Sequence, residues 1–396
     1  MKEFPQGFRF AGIHCGIKKV AQKEDLTLVH CPDGAVAAGT YTTNLVYAAP
    51  VALDRQRTPS GDIRVVVVNS GNANACTGER GLRDATDMAR LAAEAVGAKA
   101  EQALVMSTGV IGHFLPMEKI AAGVVAAAAQ LGADEACFLS AARGVLTTDK
   151  GIKTASRSLE LSEGTVRVAG FCKGAGMIGP KMATMLCVVT TDAMLMPSEA
   201  QATLQYSVEE SFNCVSVEGH MSTNDTVLLL ASGKAVKKPL GTKDLPVFQA
   251  ALSELCIELA KQIADDGEGA SHLITLDVSG AKTRDDARQV AQAIANSALV
   301  KTAIAGGDPN WGRIVSAAGY AGVPLDPAGI GLAVNGHLLY ERGAPVAFDA
   351  KTVSSAIKSS RETQITLTLR EGSAAIRFWT SDLNTEYVRF NADYTT

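Results

Sequence analysis

Apolar and polar positions follow two rhythms along this chain. In the first seventy residues the rhythm is that of β structure: 26–30, then 35–41, then 63–69, each bounded by polar or glycine-rich turns. The run 63–69 is almost continuous in β-branched residues, which predicts a strand buried on both faces. A helical rhythm follows. Ala85, Met88, Leu91, Ala92 and Ala95 share one face of a helix over 84–96, and 117–130 and 133–146 read as two more. Pro197 with Ser198 and Gln201 reads as a helix start capped by Ser198. The clearest helix is 246–264, where Phe248, Leu252, Leu255, Leu259 and Ile263 form one stripe that ends at a glycine-containing turn. A strand over 273–278 is separated by 279–284 from a helix capped by Thr283. Beyond it, 365–369 and 375–378 alternate about 370–373 and read as a hairpin. With no repeat and no low-complexity tract, the class is α+β. A chain of 396 residues is long for one core. The expected division is 1–280 and 281–396.

The stretch 173–192 changes character halfway. It is glycine-rich up to Thr184 and then becomes an apolar run that reads as a buried strand. A hydroxyl at the head of a buried strand, fed by a pliable loop, suits an N-terminal nucleophile. If the Ala183–Thr184 bond is cut, the new α-amine lies beside the Thr184 hydroxyl and can serve as its base. Gly174, Gly176 and Gly179 also spell G-x-G-x-x-G, but Pro180 and a β-type run follow where a dinucleotide site needs a helix N-terminus. That reading fails.

Composition narrows the field. Lys and Arg number 37 against 41 Asp and Glu, a net charge of −4, and no long basic run exists. Nucleic acid and membrane surfaces are poor partners for such a chain. The N-terminus lacks the apolar core of a secretory signal, and eight cysteines stand singly, as in a reducing compartment, so the expected location is cytoplasmic. Six histidines without ligand spacing argue against a metal.

Taken singly, the remaining polar positions have plain explanations. The Asn- and Gly-rich loop 69–78 suits turn chemistry, although small polar loops at strand ends often line sites. Thr108 and Gly109 form a glycine turn whose backbone N–H groups can hold an oxyanion. Thr147 could cap a helix, Lys173 and Glu268 could be solvated charges, and Asn391 to Thr396 could be a frayed tail.

Together, these positions acquire a pattern. Gly-Met-Ile-x-Pro-x-Met-Ala-Thr-Met-Leu over 176–186, followed by Thr-Thr-Asp-Ala, resembles the self-cleavage motif of the ornithine acetyltransferases (glutamate N-acetyltransferases) of arginine biosynthesis. The resemblance runs from Tyr41 to the last residue and takes in Ser222-Thr-Asn-Asp-Thr226 and the stretch 307–313, to which it assigns no role. It implies a layered αββα sandwich with a smaller C-terminal domain. It also implies cleavage between Ala183 and Thr184, and acetyl transfer from N2-acetylornithine to glutamate through an acetyl-threonine. In that scheme Thr184 is the nucleophile, and Thr108 and Gly109 form the oxyanion hole. Thr147, Lys173, Thr184, Glu268, Asn391 and Thr396 bind the amino-acid substrates. No cofactor is implied, and acetyl-CoA as a second donor stays open. The implied assembly is a heterotetramer of two α and two β chains. Two departures stand out: Lys181 where asparagine is common, and Glu218-Gly-His-Met221 where the family is commonly more acidic. The alternatives are a related aminopeptidase, in which water deacylates the threonine, and a binding protein that never matures.

Overall fold

The structure is a computed structural model that describes residues 4–20, 22–179 and 185–393. The expected cleavage point at Ala183 and Thr184, the departure at Lys181 and the substrate contact of Thr396 lie outside the described residues.

The β-branched run grows into a strand, Ser60–Asn72, and its alternation defines the first layers. Val66 and Val68 enter one apolar cluster with Met106, Phe171, Val188 and Leu228, while Val65 and Val67 enter another with Met88 and Ile120. Successive side chains of a strand face opposite ways, so this strand is covered twice. The strand Leu186–Thr191 behaves alike: Val188 joins the first cluster, whereas Cys187 and Val189 join a third with Leu252 and Leu259.

These alternations describe a sheet folded over on itself. Its order is Ala103–Val110, Ser60–Asn72, Leu26–Tyr41, Thr226–Ala231, Leu186–Thr191, Gly164–Lys173 and Lys153–Leu161, with Arg9–Ile13 also pairing the long strand. Leu26–Tyr41, expected as two strands, is one. Its residues 26–37 pair with Ser60–Asn72, and 36–41 pair with Thr226–Ala231, so it passes from one half to the other. The halves enclose the Phe171 cluster. Helices Gly78–Ala95 and Met117–Ala128 cover one outer face, and Pro197–Glu210 and Asp244–Asp265 cover the other. The result is an α+β sandwich with αββα layers.

The second helix layer is shared. Phe248, Leu252, Leu255 and Leu259 belong to a cluster that also takes in Leu276, Ile365 and Phe378 of a second sheet. That sheet runs Ala344–Pro345, His337–Glu341, Gly331–Val334, Glu362–Thr368, Leu273–Ala281, Ala374–Ser381 and Val215–Ser216. The division expected at 280 falls inside Leu273–Ala281, a central strand of this sheet.

Two local expectations are corrected. Glu362–Thr368 and Ala374–Ser381 do not form a hairpin; Leu273–Ala281 lies between them, parallel to the first and antiparallel to the second. The turn joining them crosses the end of that strand, with Leu369 N–H donating to Ser279 O and Gly372 N–H to Gly280 O. The helix expected to be capped by Ser198 starts at Pro197, which has no N–H to satisfy and a preset φ. Glu199 reaches back to the Met196 N–H at 2.8 Å, and Gln201 instead bonds the Gly39 backbone. Thr283 does cap Arg284–Ala295, accepting from Asp286 N–H at 3.1 Å. Among the described residues no helix is long and apolar enough to cross a membrane.

Candidate active site at the open end of the folded sheet

Three strand ends meet where the folded sheet opens. Ala103–Val110 carries Thr108 and Gly109 within its last residues, not in a turn beyond the strand as expected. Gly109 sits at φ +132° beside Gly71, where a Cβ would lie 2.3 Å from the Gly71 carbonyl carbon. Only glycine permits that conformation and that approach. Gly164–Lys173 ends on Lys173, paired across the ladder with Leu186. The segment 222–225 leads into Thr226–Ala231 and ties the ends together: Asn224 Nδ2 donates to Ala73 O at 2.6 Å and to Ser107 O at 2.8 Å.

Other expected residues arrive from further away. Glu268 follows the helix Asp244–Asp265 and is fixed by its own N–H on Ala175 O at 2.9 Å. The helix Thr385–Asp393 stands where a frayed tail was one reading, and its Asn391 Nδ2 donates to Glu268 Oε2 at 3.1 Å. Gly269, at φ +72°, lets this helix approach, since a Cβ there would sit 2.4 Å from Tyr387 N.

One cavity of about 120 Å³ is lined by Thr108, Gly109, Thr147, Lys173, Glu268 and Asn391. The structure thus brings together every described residue that the sequence nominated for a site. Ser222, Thr223, Asn224 and Met177 line it as well. Sequence reasoning gave these no role, although the Ser-Thr-Asn-Asp-Thr stretch had drawn notice. A larger open cavity of about 1050 Å³ lies between the long strand and helices Pro197–Glu210 and Arg284–Ala295, and none of the nominated residues lines it.

The lysine that lines the cavity is buried. Lys173 is 3% exposed, and burial pulls its pKa below the usual range, opposed by nearby Asp149. Asp149 itself was missed by sequence reasoning. Burial raises its pKa, but Lys173 and Lys153 outweigh that and bring it to about 2. Asp149 Oδ1 accepts from Lys153 Nζ at 2.7 Å and Gly174 N–H at 2.6 Å, and Oδ2 accepts from Thr147 N–H at 3.0 Å. Lys153 also meets Asp266 at 2.5 Å. This network fixes Thr147 and the strand end bearing Lys173 relative to each other.

An enclosed lysine, a carboxylate and hydroxyls around a small cavity suit a zwitterionic ligand. The sequence profile of the ArgJ family matches residues 9–396. The chain belongs to the ArgJ family. Among similar proteins, the arginine biosynthesis bifunctional protein ArgJ of Rhodopirellula baltica is 47% identical over 395 residues, covering 99% of this chain and 96% of that protein. The protein of the same name from Symbiobacterium thermophilum is 45% identical over 395 residues, 99% of this chain and 98% of that one. Among solved structures, the arginine biosynthesis bifunctional protein argJ from Bacillus halodurans is 39% identical with a TM-score of 0.51. It covers 52% of this chain and 98% of that chain. This ArgJ family member is accordingly an enzyme, with the α+β sandwich of its relatives.

Proposed function

We propose that this ArgJ family member cleaves itself between Ala183 and Thr184 and then moves an acetyl group from N2-acetylornithine to glutamate. The observation that carries the reading is the convergence of Thr108, Gly109, Thr147, Lys173, Glu268 and Asn391 on one cavity. They come from five separate stretches of chain, and Met185, the residue after Thr184, leads into the strand paired with Lys173.

Each group has a task in that reaction. Thr184 Oγ attacks the acetyl carbonyl, and its α-amine takes the hydroxyl proton and passes it to the departing ornithine nitrogen. The Thr108–Gly109 backbone stabilises the oxyanion. Lys173 holds the substrate carboxylate, while Glu268, oriented by Asn391, holds an ammonium. Glutamate then enters the same pocket and removes the acetyl group. The cycle needs no cofactor, and acetyl-CoA can supply the same acetyl group to the same threonine.

Cleavage before Thr184 leaves 183 and 396 − 183 = 213 residues. A solved family chain matched over 98% of its own length yet covering 52% of this one is consistent with a family whose chains exist as halves. The assembly that follows is two α and two β chains in the cytoplasm. Intact mass under denaturing conditions, before and after N2-acetylornithine, tests the proposal. Two chains, with one acetyl group gained by the chain beginning at Thr184, are expected. A single unmodified chain overturns it.

A further inference from the structure

Backbone strain marks one residue on the lining of the catalytic cavity. Met177 sits at φ +58°, in the left-handed region that glycine or asparagine usually fills and that strains other side chains. Hydrogen bonds on either side hold it there. Gly174 N–H donates to Asp149 Oδ1 at 2.6 Å, and Ala175 O accepts from Glu268 N–H at 2.9 Å. Ile178 N–H donates to Glu218 Oε1 at 2.6 Å, and Ile178 O accepts from Val217 N–H at 2.8 Å and from Gly219 N–H at 3.1 Å. Ala175 and Ile178 are buried, whereas Met177 is 36% exposed and lines the cavity. Core packing therefore does not account for the strain. A strained residue that its surroundings hold against a site points to function.

The chemistry of the lining supplies the role. The segment 173–177 begins at Lys173 and passes over Glu268, so close that a Cβ on Gly176 would collide with the Glu268 carboxyl. These are the two charges that the proposed function assigns to the ends of the substrate. An amino acid held in this way has methylenes between its charged ends, and those need an apolar surface. Among the described residues, the large apolar side chains on the lining are Ile111 and Met177, and Met177 directly follows the glycine that packs on Glu268. Methionine is unbranched and adapts its shape to what it touches. Such a wall suits a pocket that takes the ornithine chain in one half-reaction and the glutamate chain in the other.

We propose that Met177 is a specificity-determining residue: its side chain lies along the methylenes of the substrate and sets the length of amino acid that fits between Lys173 and Glu268. The inference rests on the proposed acetyl transfer and on the roles given there to those two charges. N2-acetyllysine carries the same end groups as N2-acetylornithine on a chain one methylene longer. In a cavity of about 120 Å³, the added methylene has to displace the Met177 side chain. One methylene in an apolar pocket is worth about 10- to 200-fold in discrimination. The strained turn keeps Met177 from giving way, because its backbone is tied on both sides.

The test is the ratio of kcat/KM for N2-acetylornithine to that for N2-acetyllysine, with glutamate as acceptor. It is measured in the parent and in Met177→Gly, Met177→Ala and Met177→Leu, per site that gains an acetyl group by intact mass. Glycine adopts the left-handed conformation freely, so Met177→Gly removes the side chain and keeps the turn. The expected result is a ratio about 10-fold smaller in Met177→Gly, with a thermal unfolding midpoint at or above that of the parent. An unchanged ratio overturns the proposal. A smaller ratio together with a lower midpoint also overturns it, since that is the mark of a packing residue. Should the Gly variant fail to mature, Met177→Leu staying nearer the parent ratio than Met177→Ala supports the proposal, and equal ratios overturn it. A parent that gains no acetyl group from N2-acetylornithine overturns the proposed function, and this inference with it. An acetylated parent whose ratio the variants leave unchanged overturns the role of Met177 alone.

Discussion

Asp149 and Asp225 flank the same cavity, both are buried, and their surroundings treat them oppositely. Asp149 receives Lys153, Gly174 and Thr147 on its two oxygens and is held as an anion. Asp225 receives one amide, keeps an idle oxygen and is held towards its neutral form. The difference lies in the supply of donors. A carboxylate engaged by donors on both oxygens is held as an anion, whereas one engaged on a single oxygen is more readily neutral. Glu218, whose Oε1 accepts from Ile178 N–H at 2.6 Å, belongs with Asp225, since burial pushes its pKa to about 8.

The contrast is most exposed to failure in stability. Asp149→Asn leaves Lys153 with Asp266 alone and removes the anion that opposes burial of Lys173, so a loss of roughly 3–5 kcal/mol is expected in urea unfolding. Equal losses for Asp149→Asn and Asp225→Asn would erase the distinction. The next effect is in pH. Asp149 has a native pKa of about 2, below its unfolded value, so its contribution is complete above pH ~4 and disappears as pH falls through 2. Glu218 has the opposite sign. Between pH ~4.5 and 8 the native state holds a proton that the unfolded chain has released, so its contribution declines as pH rises through that window. Glu218→Gln is expected to remove that decline, worth roughly 2–4 kcal/mol, and a parallel pair of stability–pH curves would refute it. Asp225→Asn is expected to stay within about 1 kcal/mol of the parent, because it exchanges a costly acid for an amide of the same shape. At the small end, Arg90→Ala on the outer helix breaks an exposed pair with Glu94 at 2.8 Å and is expected to leave the urea-unfolding midpoint unchanged.

What could be read from the sequence follows the range of the interactions involved. The stripe of Phe248, Leu252, Leu255, Leu259 and Ile263 is set by neighbours one turn apart, and the helix appears as Asp244–Asp265. The doubly covered strand was legible because Val65 to Val68 leave no polar face. The false hairpin shows the limit: local alternation reports strands but not partners, and the intervening strand lies nearly ninety residues upstream of Glu362–Thr368. Site residues were harder still. No local pattern places Lys173 inside the protein or seats Glu268 beside Asn391. Only the resemblance singled them out, and it was silent on Asp149 and Asp225.

The pairing of Gly164–Lys173 with Leu186–Thr191 carries a further consequence. These neighbours lie on opposite sides of residue 184, as do Leu26–Tyr41 and Thr226–Ala231. A cut there leaves two polypeptides interleaved in one sheet, neither of which contains the whole of that sheet. The uncut chain finds this arrangement by an intramolecular search, with closure entropy growing only slowly with loop length. The cut pair must find it by bimolecular encounter. With cleavage as proposed, the covalent link would be a scaffold for assembly, discarded once assembly is complete. Precursor should refold at a rate independent of dilution, while unfolded mature enzyme should recover more slowly as it is diluted, each molecule having been built by a connection it no longer has.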